Sequence, residues 1–300
     1  MGLFGFLKSL AGAPPPDRGR GIDDVSKRLG MSPDQIRGVP AGYQTFTIPK
    51  RSDGTRTISA PNPALKEVQR KVLRKILGGL PAHPTATGFE RGHSIVTNAK
   101  AHAGQSVVVR MDLKDFFGST SELRIRDWFF AAGWNREASV LLSGICTREN
   151  ALPQGAPTSP RLANLVNFMM DARLESLARS MNATYTRYAD DLTFSFPADA
   201  DDAARRILGI VKFIVADFGY ALHTGKKFRI RRAHQRQTVT GLVVNEKVAL
   251  PRETRRWLRA VEHRLKAGKP ATLTPAQIAG WRSFASMVEK QSGGADATAG

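Results

Sequence analysis

Cysteine is almost absent from this 300-residue chain. Cys146 stands alone, which excludes an internal disulfide and a cysteine-built zinc site; a reducing cytoplasm fits that usage. Long apolar runs are missing too: no stretch of about 18 consecutive apolar residues occurs, so no segment reads as a membrane span. The apolar start, Met1 to Leu10, lacks a basic leader and reads as a packing arm rather than a signal peptide. Phe6 also stands where a myristoylation signal needs Ser or Thr. Acidic residues are scarce, 26 against 45 Lys and Arg. The resulting charge of +19 and pI near 10.7 favour a polyanionic partner, nucleic acid or an acidic membrane surface. With 41% hydrophobic residues the chain can still bury a core. Internal repeats and regular βαβ alternation are also lacking, which favours an α+β architecture built on an antiparallel sheet.

Local patterns divide the chain further. Ala13 to Gly21 reads as a linker behind the arm. Short helices are expected over Asp23 to Leu29 and Ser32 to Gly38, the second with a Ser32 cap and Pro33 in its first turn. Tyr43 to Pro49 and Thr55 to Ser59 read as a hairpin turning at Ser52-Asp53-Gly54. Leu65, Val68, Val72 and Ile76 recur at helical spacing until Gly78-Gly79. Further on, one long helix is expected over Ser159 to Met181 and another over Ala200 to Phe218. Strands are expected over Thr184 to Tyr188, Leu192 to Phe196 and Thr238 to Asn245, and the tail from Gln291 reads as disordered.

The chemistry concentrates in three acids. Tyr188-Ala189-Asp190-Asp191 sets two carboxylates at the turn between two hydrophobic strands, where unpaired charge makes a poor core. By itself, an acidic pair at a turn is usually only a turn. Val107-Val108-Val109-Arg110-Met111-Asp112 changes that reading, because this apolar strand ends in a third acid 78 residues earlier. If the strands are neighbours, the three carboxylates can hold two Mg²⁺ ions about 4 Å apart, the spacing that clamps both oxygens of an in-line phosphoryl displacement. Mg²⁺ prefers a few carboxylates plus substrate phosphates to a complete protein cage.

The basic charge is concentrated as well. Ala221 to Pro270 holds fourteen Lys or Arg against three Glu. On a helix starting near Pro251, Arg252, Arg255, Arg256, Arg259, His263 and Lys266 fall on one stripe; Leu258, Val261 and Leu265 fall opposite, with Trp257 at the flank. Such a helix suits packing on a core while tracking phosphates; a membrane-surface helix is the lesser alternative.

At these residues the chain resembles reverse transcriptases, and more narrowly the retron reverse transcriptases of bacteria. The similarity runs from about Met31 to about Val261. It implies a right-hand polymerase fold, with short helices and an arm over 1–40, fingers over 41–106, palm with finger insertions over 107–238, a helical thumb over 239–290 and a tail over 291–300. Asp112 resembles the first palm motif, and Tyr188 to Asp191 the Tyr-x-Asp-Asp metal hairpin. Leu113 joins Asp112, Asp190 and Asp191 among the implied metal positions. Phe117 is similar to the aromatic gate that blocks a ribose 2′-hydroxyl, with a core phenylalanine as the alternative. Leu152-Pro153-Gln154-Gly155 resembles the loop supporting nucleotide and template. Ile48-Pro49-Lys50 with Arg56 resembles the fingers hairpin whose cations hold the triphosphate. Lys227, or its neighbour Lys226, resembles the palm lysine near the pyrophosphate. Asn98-Ala99-Lys100-Ala101-His102 matches a retron element assigned to RNA binding, although His102 also reads as a histidine bonded within the fold. Val239-Thr240-Gly241 matches the retron element that opens the thumb. Gly118, where Pro is common, and His93, where Arg is common, depart from the family pattern.

The resemblance implies an RNA-directed DNA polymerase with two Mg²⁺ ions and dNTP substrates. It further implies a cognate structured noncoding RNA primed from a 2′-hydroxyl, a branched RNA-linked DNA product, and a role in antiphage defence with an effector encoded nearby. A cytoplasmic, membrane-free location fits. An intron-encoded or diversity-generating reverse transcriptase is the second reading; the usual intron extensions past the thumb are not expected here. A noncatalytic RNA-binding scaffold is the third.

Overall fold

The computed structural model describes residues 18–50, 54–198, 200–223, 228–267 and 272–293. The expected N-terminal arm, most of the Ser52 turn, Lys226, Lys227 and the end of the tail lie outside them. In chain order the elements are α1 (Ile22–Leu29), α2 (Pro33–Arg37), β1 (Tyr43–Pro49), β2 (Thr55–Pro61), α3 (Pro63–Val72, continued by a π turn over Leu73–Leu77) and α4 (Ile95–Lys100). There follow β3 (Val107–Asp112), α5 (Glu122–Ala131), α6 (Arg136–Cys146), α7 (Ser159–Val166), α8 (Phe168–Ser180), β4 (Thr184–Tyr188), β5 (Asp191–Phe196) and α9 (Asp201–Asp217). The last are β6 (Arg229–Arg232), β7 (Thr238–Val239), β8 (Leu242–Val243), α10 (Arg252–Lys266) and α11 (Pro275–Gly293). This is the expected α+β class, and all its strand pairs within sheets are antiparallel. No described helix is long and apolar enough to cross a membrane.

The chain forms two compact units that interleave in sequence: 1–83, 114–172 and 215–221 in the first, 84–113, 173–214 and 222–300 in the second. The expected fingers segment, 41–106, is therefore divided between them at residue 83.

In the first unit, Ser32 caps α2 reciprocally with Gln35, satisfying two orphan amides. The β1–β2 hairpin runs in register from Tyr43↔Pro61 to Pro49↔Thr55. Helices α1, α3, α5, α6 and α7 bury Val25, Val72, Phe129, Leu142 and Leu162. Buried Gln69 donates from Nε2 to the Tyr43 hydroxyl (3.0 Å) and the Ile145 carbonyl (2.8 Å). Cys146 is wholly buried, and desolvation pushes its thiol up to about 12, so it is an inert core residue.

The second unit is built on a four-stranded sheet in the order β4-β5-β3-β6. Val96 and Ala99 of α4, Val108 of β3, Val239 and Leu242 of the β7–β8 hairpin and Val288 of α11 share one core. The two short retron-like elements are thus packed on each other, and Thr240 Oγ1 donates to the Ile95 carbonyl at 2.8 Å.

Four sequence expectations need correction. The long helix over Ser159 to Met181 breaks at Asn167, whose side-chain amide donates to the Ala163 carbonyl and the Tyr220 hydroxyl (both 2.8 Å). The strand over Thr238 to Asn245 is a tight hairpin, because Thr240 and Gly241 take positive φ (46° and 83°) and reverse the chain. Gln291 begins no disordered tail: it lies in α11 and accepts from Ser94 Oγ at 2.6 Å. On α10, Leu258 and Val261 are buried as expected, but Leu265 is 38% exposed.

Candidate active site

Strand β3 alternates in and out, so Val107, Val109 and Met111 share one face while Val108, Arg110 and Asp112 share the other. Its neighbour β5 pairs Met111↔Leu192 and Asp112↔Asp191. Directly opposed residues of an antiparallel pair project from the same face, so the carboxylates of Asp112 and Asp191 leave the sheet side by side at one end. Tyr188 pairs with Asp191, leaving Ala189 and Asp190 as the two-residue turn. The Asp190 carbonyl accepts from the Leu113 amide at 2.9 Å, tying the turn to the end of β3. The second unit thus brings together all three acids expected from sequence.

The turn is held under strain. Ala189 takes φ 57°, a left-handed backbone that costs a non-glycine residue about 1 kcal/mol or more and tends to persist where the surroundings enforce it. The enforcing neighbour is the segment preceding α4. Thr87 N donates to the Arg187 carbonyl (2.9 Å) and Arg187 N to the Thr85 carbonyl (2.8 Å), so this segment runs along β4. At its end, a Cβ on Gly88 would stand 2.7 Å from the Ala189 amide nitrogen. Only glycine allows this approach.

Among the described residues, Arg110 and His223 engage two of the acids. Arg110, two residues before Asp112 on the same face, donates from Nη2 to both Asp191 oxygens at 3.0 and 2.9 Å. His223 reaches Asp112 with Nε2 at 3.4 Å from Oδ1, and its amide donates to the Asp112 carbonyl at 2.8 Å. The Asp112 and Asp191 side chains are 16% and 30% exposed. Among the described residues no three acidic, histidine or cysteine side chains form a ready metal cage, and Asp191 is paired with Arg110. The donor chemistry nonetheless fits a hard divalent cation: carboxylate oxygens at a sheet end, partly open to solvent, suit an ion that keeps water and substrate oxygens. The Leu113 side chain is buried, so only its main-chain carbonyl could join them. Sequence reading passed over Arg110 and His223. The two-residue alternation of β3 signals the first; nothing local signals the second.

The remaining candidates divide between the units. Asn98 and His102 lie inside the second, 1% and 0% exposed. The Thr87 hydroxyl donates to Asn98 Oδ1 at 2.7 Å. His102 Nδ1 lies 2.7 Å from Ser195 Oγ and Nε2 2.7 Å from Thr186 Oγ1. Burial pulls the His102 pKa down to about 3, so the ring is neutral. Neither side chain faces solvent in this structure: Asn98 ties α4 to the Thr87 segment, and His102 is hydrogen-bonded between β4 and β5. Arg252, Arg255, Arg256, Arg259 and Lys266 are all exposed on α10, and α10 joins α11 through Glu262–Arg282 (2.7 Å) and a perpendicular Trp257–Trp281 pair.

Lys50, Arg56, Phe117, Gln154 and Gly155 belong to the first unit. Lys50 and Arg56 are exposed at the turn end of the β1–β2 hairpin. Phe117 is half-buried and stacks obliquely on Phe116, ring centres 5.3 Å apart. The Gln154 carbonyl accepts from Ser59 N at 2.8 Å. Gly155 has φ 133°, and a Cβ there would meet the Ser59 carbonyl oxygen at 2.8 Å, so this loop presses its backbone on β2.

Comparison with known proteins gives a consistent picture. The family model for reverse transcriptase (RNA-dependent DNA polymerase) matches residues 48–242. The chain is similar to the retron Mx162 reverse transcriptase of Myxococcus xanthus, 38% identical over 90% of this chain and 64% of that protein. It is similar to the retron Mx65 reverse transcriptase of the same organism, 35% identical over 90% and 68%. The retron Ec86 reverse transcriptase of Escherichia coli is 36% identical over 90% and 85%. The chain thus spans just under two thirds of the length of the Mx162 protein.

Proposed function

The chain belongs to the reverse transcriptase family, and within it to the retron reverse transcriptases; from that premise we propose that it is an RNA-directed DNA polymerase. The observation that carries this reading is the Asp112↔Asp191 register pair with Asp190 in the adjoining turn. Asp112, Asp190 and Asp191, with the Leu113 carbonyl, are the residues that would hold Mg²⁺. When bound, two such ions supply Lewis acidity for in-line attack of a primer hydroxyl on the α-phosphate of a dNTP. The sheet fixes the three acids before substrate arrives, so little reorganisation is needed at reaction. Arg110 grips both oxygens of Asp191 and so orients that carboxylate beside its neighbour strand.

In this reading the fold is the polymerase hand, with the β4-β5-β3-β6 sheet as palm, the β1–β2 hairpin as fingers, and α10 and α11 as thumb. Lys50 and Arg56 are proposed to hold the triphosphate, Gln154 and Gly155 to support nucleotide and template, and Lys227 or Lys226 to serve the leaving pyrophosphate. The exposed arginines of α10 (Arg252, Arg255, Arg256, Arg259), with Lys266, are proposed to track phosphates of the RNA stem or primer–template duplex. Phe117 is proposed as the sugar gate, a bulky ring that a ribose 2′-hydroxyl would strike. Phe117→Ala is therefore expected to raise ribonucleotide incorporation relative to deoxynucleotide by about ten- to a hundredfold, the scale of a local steric fit. Unchanged rejection in competitive incorporation assays would remove Phe117 from that role.

The retron membership supports a narrower proposal. The substrate RNA is a cognate structured noncoding RNA, synthesis starts from one of its 2′-hydroxyls, and the product is a branched RNA-linked single-stranded DNA. It acts in the cytoplasm in antiphage defence, with an effector encoded nearby. Nucleic acid extracted from cells carrying the gene with its native flanking DNA tests this on a denaturing gel. The expected product is a short DNA that shifts on RNase treatment and is absent from an Asp190→Ala, Asp191→Ala control. Its absence beside soluble wild-type protein would contradict the retron activity.

A further inference from the structure

One cavity of the second unit, about 210 Å³, is lined by Val108, Arg110, Arg229, Arg231, Arg236 and Thr238. Among the described residues, four guanidinium groups and no acid line it. The register makes this assembly costly. Arg110 on β3 and Arg229 on β6 are direct cross-strand partners, and Arg231, opposite Val108, shares their face. Like charges directly opposed across strands destabilise a sheet. Arg110 is paired with Asp191 and Arg236 with Glu253, both acids outside the cavity. Arg231 is exposed, and among the described residues its side chain has no hydrogen-bonding or ionic partner. Arg110 also keeps its Nε buried without a partner among the described residues, a donor that normally costs about 1–3 kcal/mol to leave unmet.

We propose that this arginine-lined cavity is a phosphate-binding site that takes a backbone phosphodiester of the bound nucleic-acid strand. A phosphate is the anion whose oxygens match several guanidinium forks at once. The volume corresponds to roughly seven waters of bulk liquid, room for one such group with part of its hydration. Placement favours a polynucleotide backbone over a free triphosphate. The cavity lies two to four residues before Asp112 along β3, or about 7–14 Å at the strand rise. That distance corresponds to about two to four nucleotides of helical rise behind an end held at the carboxylates. Arg110 joins the two places, with one edge on Asp191 and its body on the cavity wall. The site rests on the polymerase reading, which supplies the strand.

The test is equilibrium binding of the full chain to a fluorescein-labelled RNA hairpin with an annealed DNA primer, across a salt series. Arg231→Ala is expected to weaken binding several-fold and to lower the slope of log K against log salt by about 1, the signature of one lost phosphate contact. Arg231→Lys keeps the charge and is expected to restore the slope. Inorganic pyrophosphate as competitor separates the two phosphate sources. If Arg231→Ala leaves duplex binding intact and weakens only pyrophosphate competition, the occupant is a free polyphosphate and the backbone assignment is overturned. If wild-type protein binds the duplex and Arg231→Ala keeps its slope, the site falls while the polymerase reading stands. If wild-type protein binds no duplex, both fall.

Discussion

Asp190→Ala is expected to reduce DNA synthesis on the order of a thousandfold or more while leaving RNA affinity intact. A carboxylate that helps hold a catalytic divalent ion contributes several kcal/mol to the transition state, and each 1.36 kcal/mol is about tenfold in rate. Affinity should survive because the substitution removes a negative charge from a chain of net +19, which does not weaken its attraction for a polyanion. Asp190 is the cleaner target of the hairpin pair. Asp191→Ala would also strip Arg110 of its ion-pair partner, at a site where the Arg110 side chain is only 24% exposed. Rates under single turnover, beside filter binding of the same RNA, separate the two effects. Full-rate synthesis by Asp190→Ala would remove the turn from the chemistry.

His102→Ala is expected to lower stability by roughly 3–5 kcal/mol, through lost packing and two buried hydroxyls, Ser195 and Thr186, left without their partner. The pH dependence gives a second signature. The His102 pKa is about 3 in the folded chain, against 6.5 for an unburied histidine. Unfolding therefore takes up a proton between those values, and the stabilisation is complete above pH 6.5. As pH falls from about 6.5 towards 3, it is lost at up to about 1.4 kcal/mol per unit. Between pH 6.5 and about 5, before carboxylates titrate, the wild-type urea midpoint should fall with a component that His102→Ala lacks. A variant with unaltered midpoint but weakened RNA binding would instead restore His102 to the RNA surface.

What was legible in the sequence follows from how local each signal is. The β4–β5 hairpin, β3 and α9 each carry their own period, and Asp112, Asp190 and Asp191 can be picked out because charge at the end of an apolar strand conflicts with burial. α5 is blurred, since Leu123 is 54% exposed while Ile125, Trp128 and Phe129 are buried on neighbouring turns. β6 hides because three of its four residues are arginines, and nothing in a basic run indicates pairing with β3. The break at Asn167 depends on Tyr220, 53 residues away. The grip of Arg110 on Asp191, and the place of His102 between Ser195 and Thr186, depend on strand register, which only the folded chain supplies. For His102 the short motif points to function where the three-dimensional partners point to internal structure.

The most direct measurement is single-turnover incorporation by the purified full chain on an RNA template with an annealed DNA primer. Deoxynucleotides would be supplied with and without Mg²⁺, beside the Asp190→Ala protein. The account predicts template-directed extension that requires Mg²⁺ and is lost in the variant. Folded wild-type protein that binds the primed RNA yet adds no nucleotide, or extension that persists without Asp190, would contradict it.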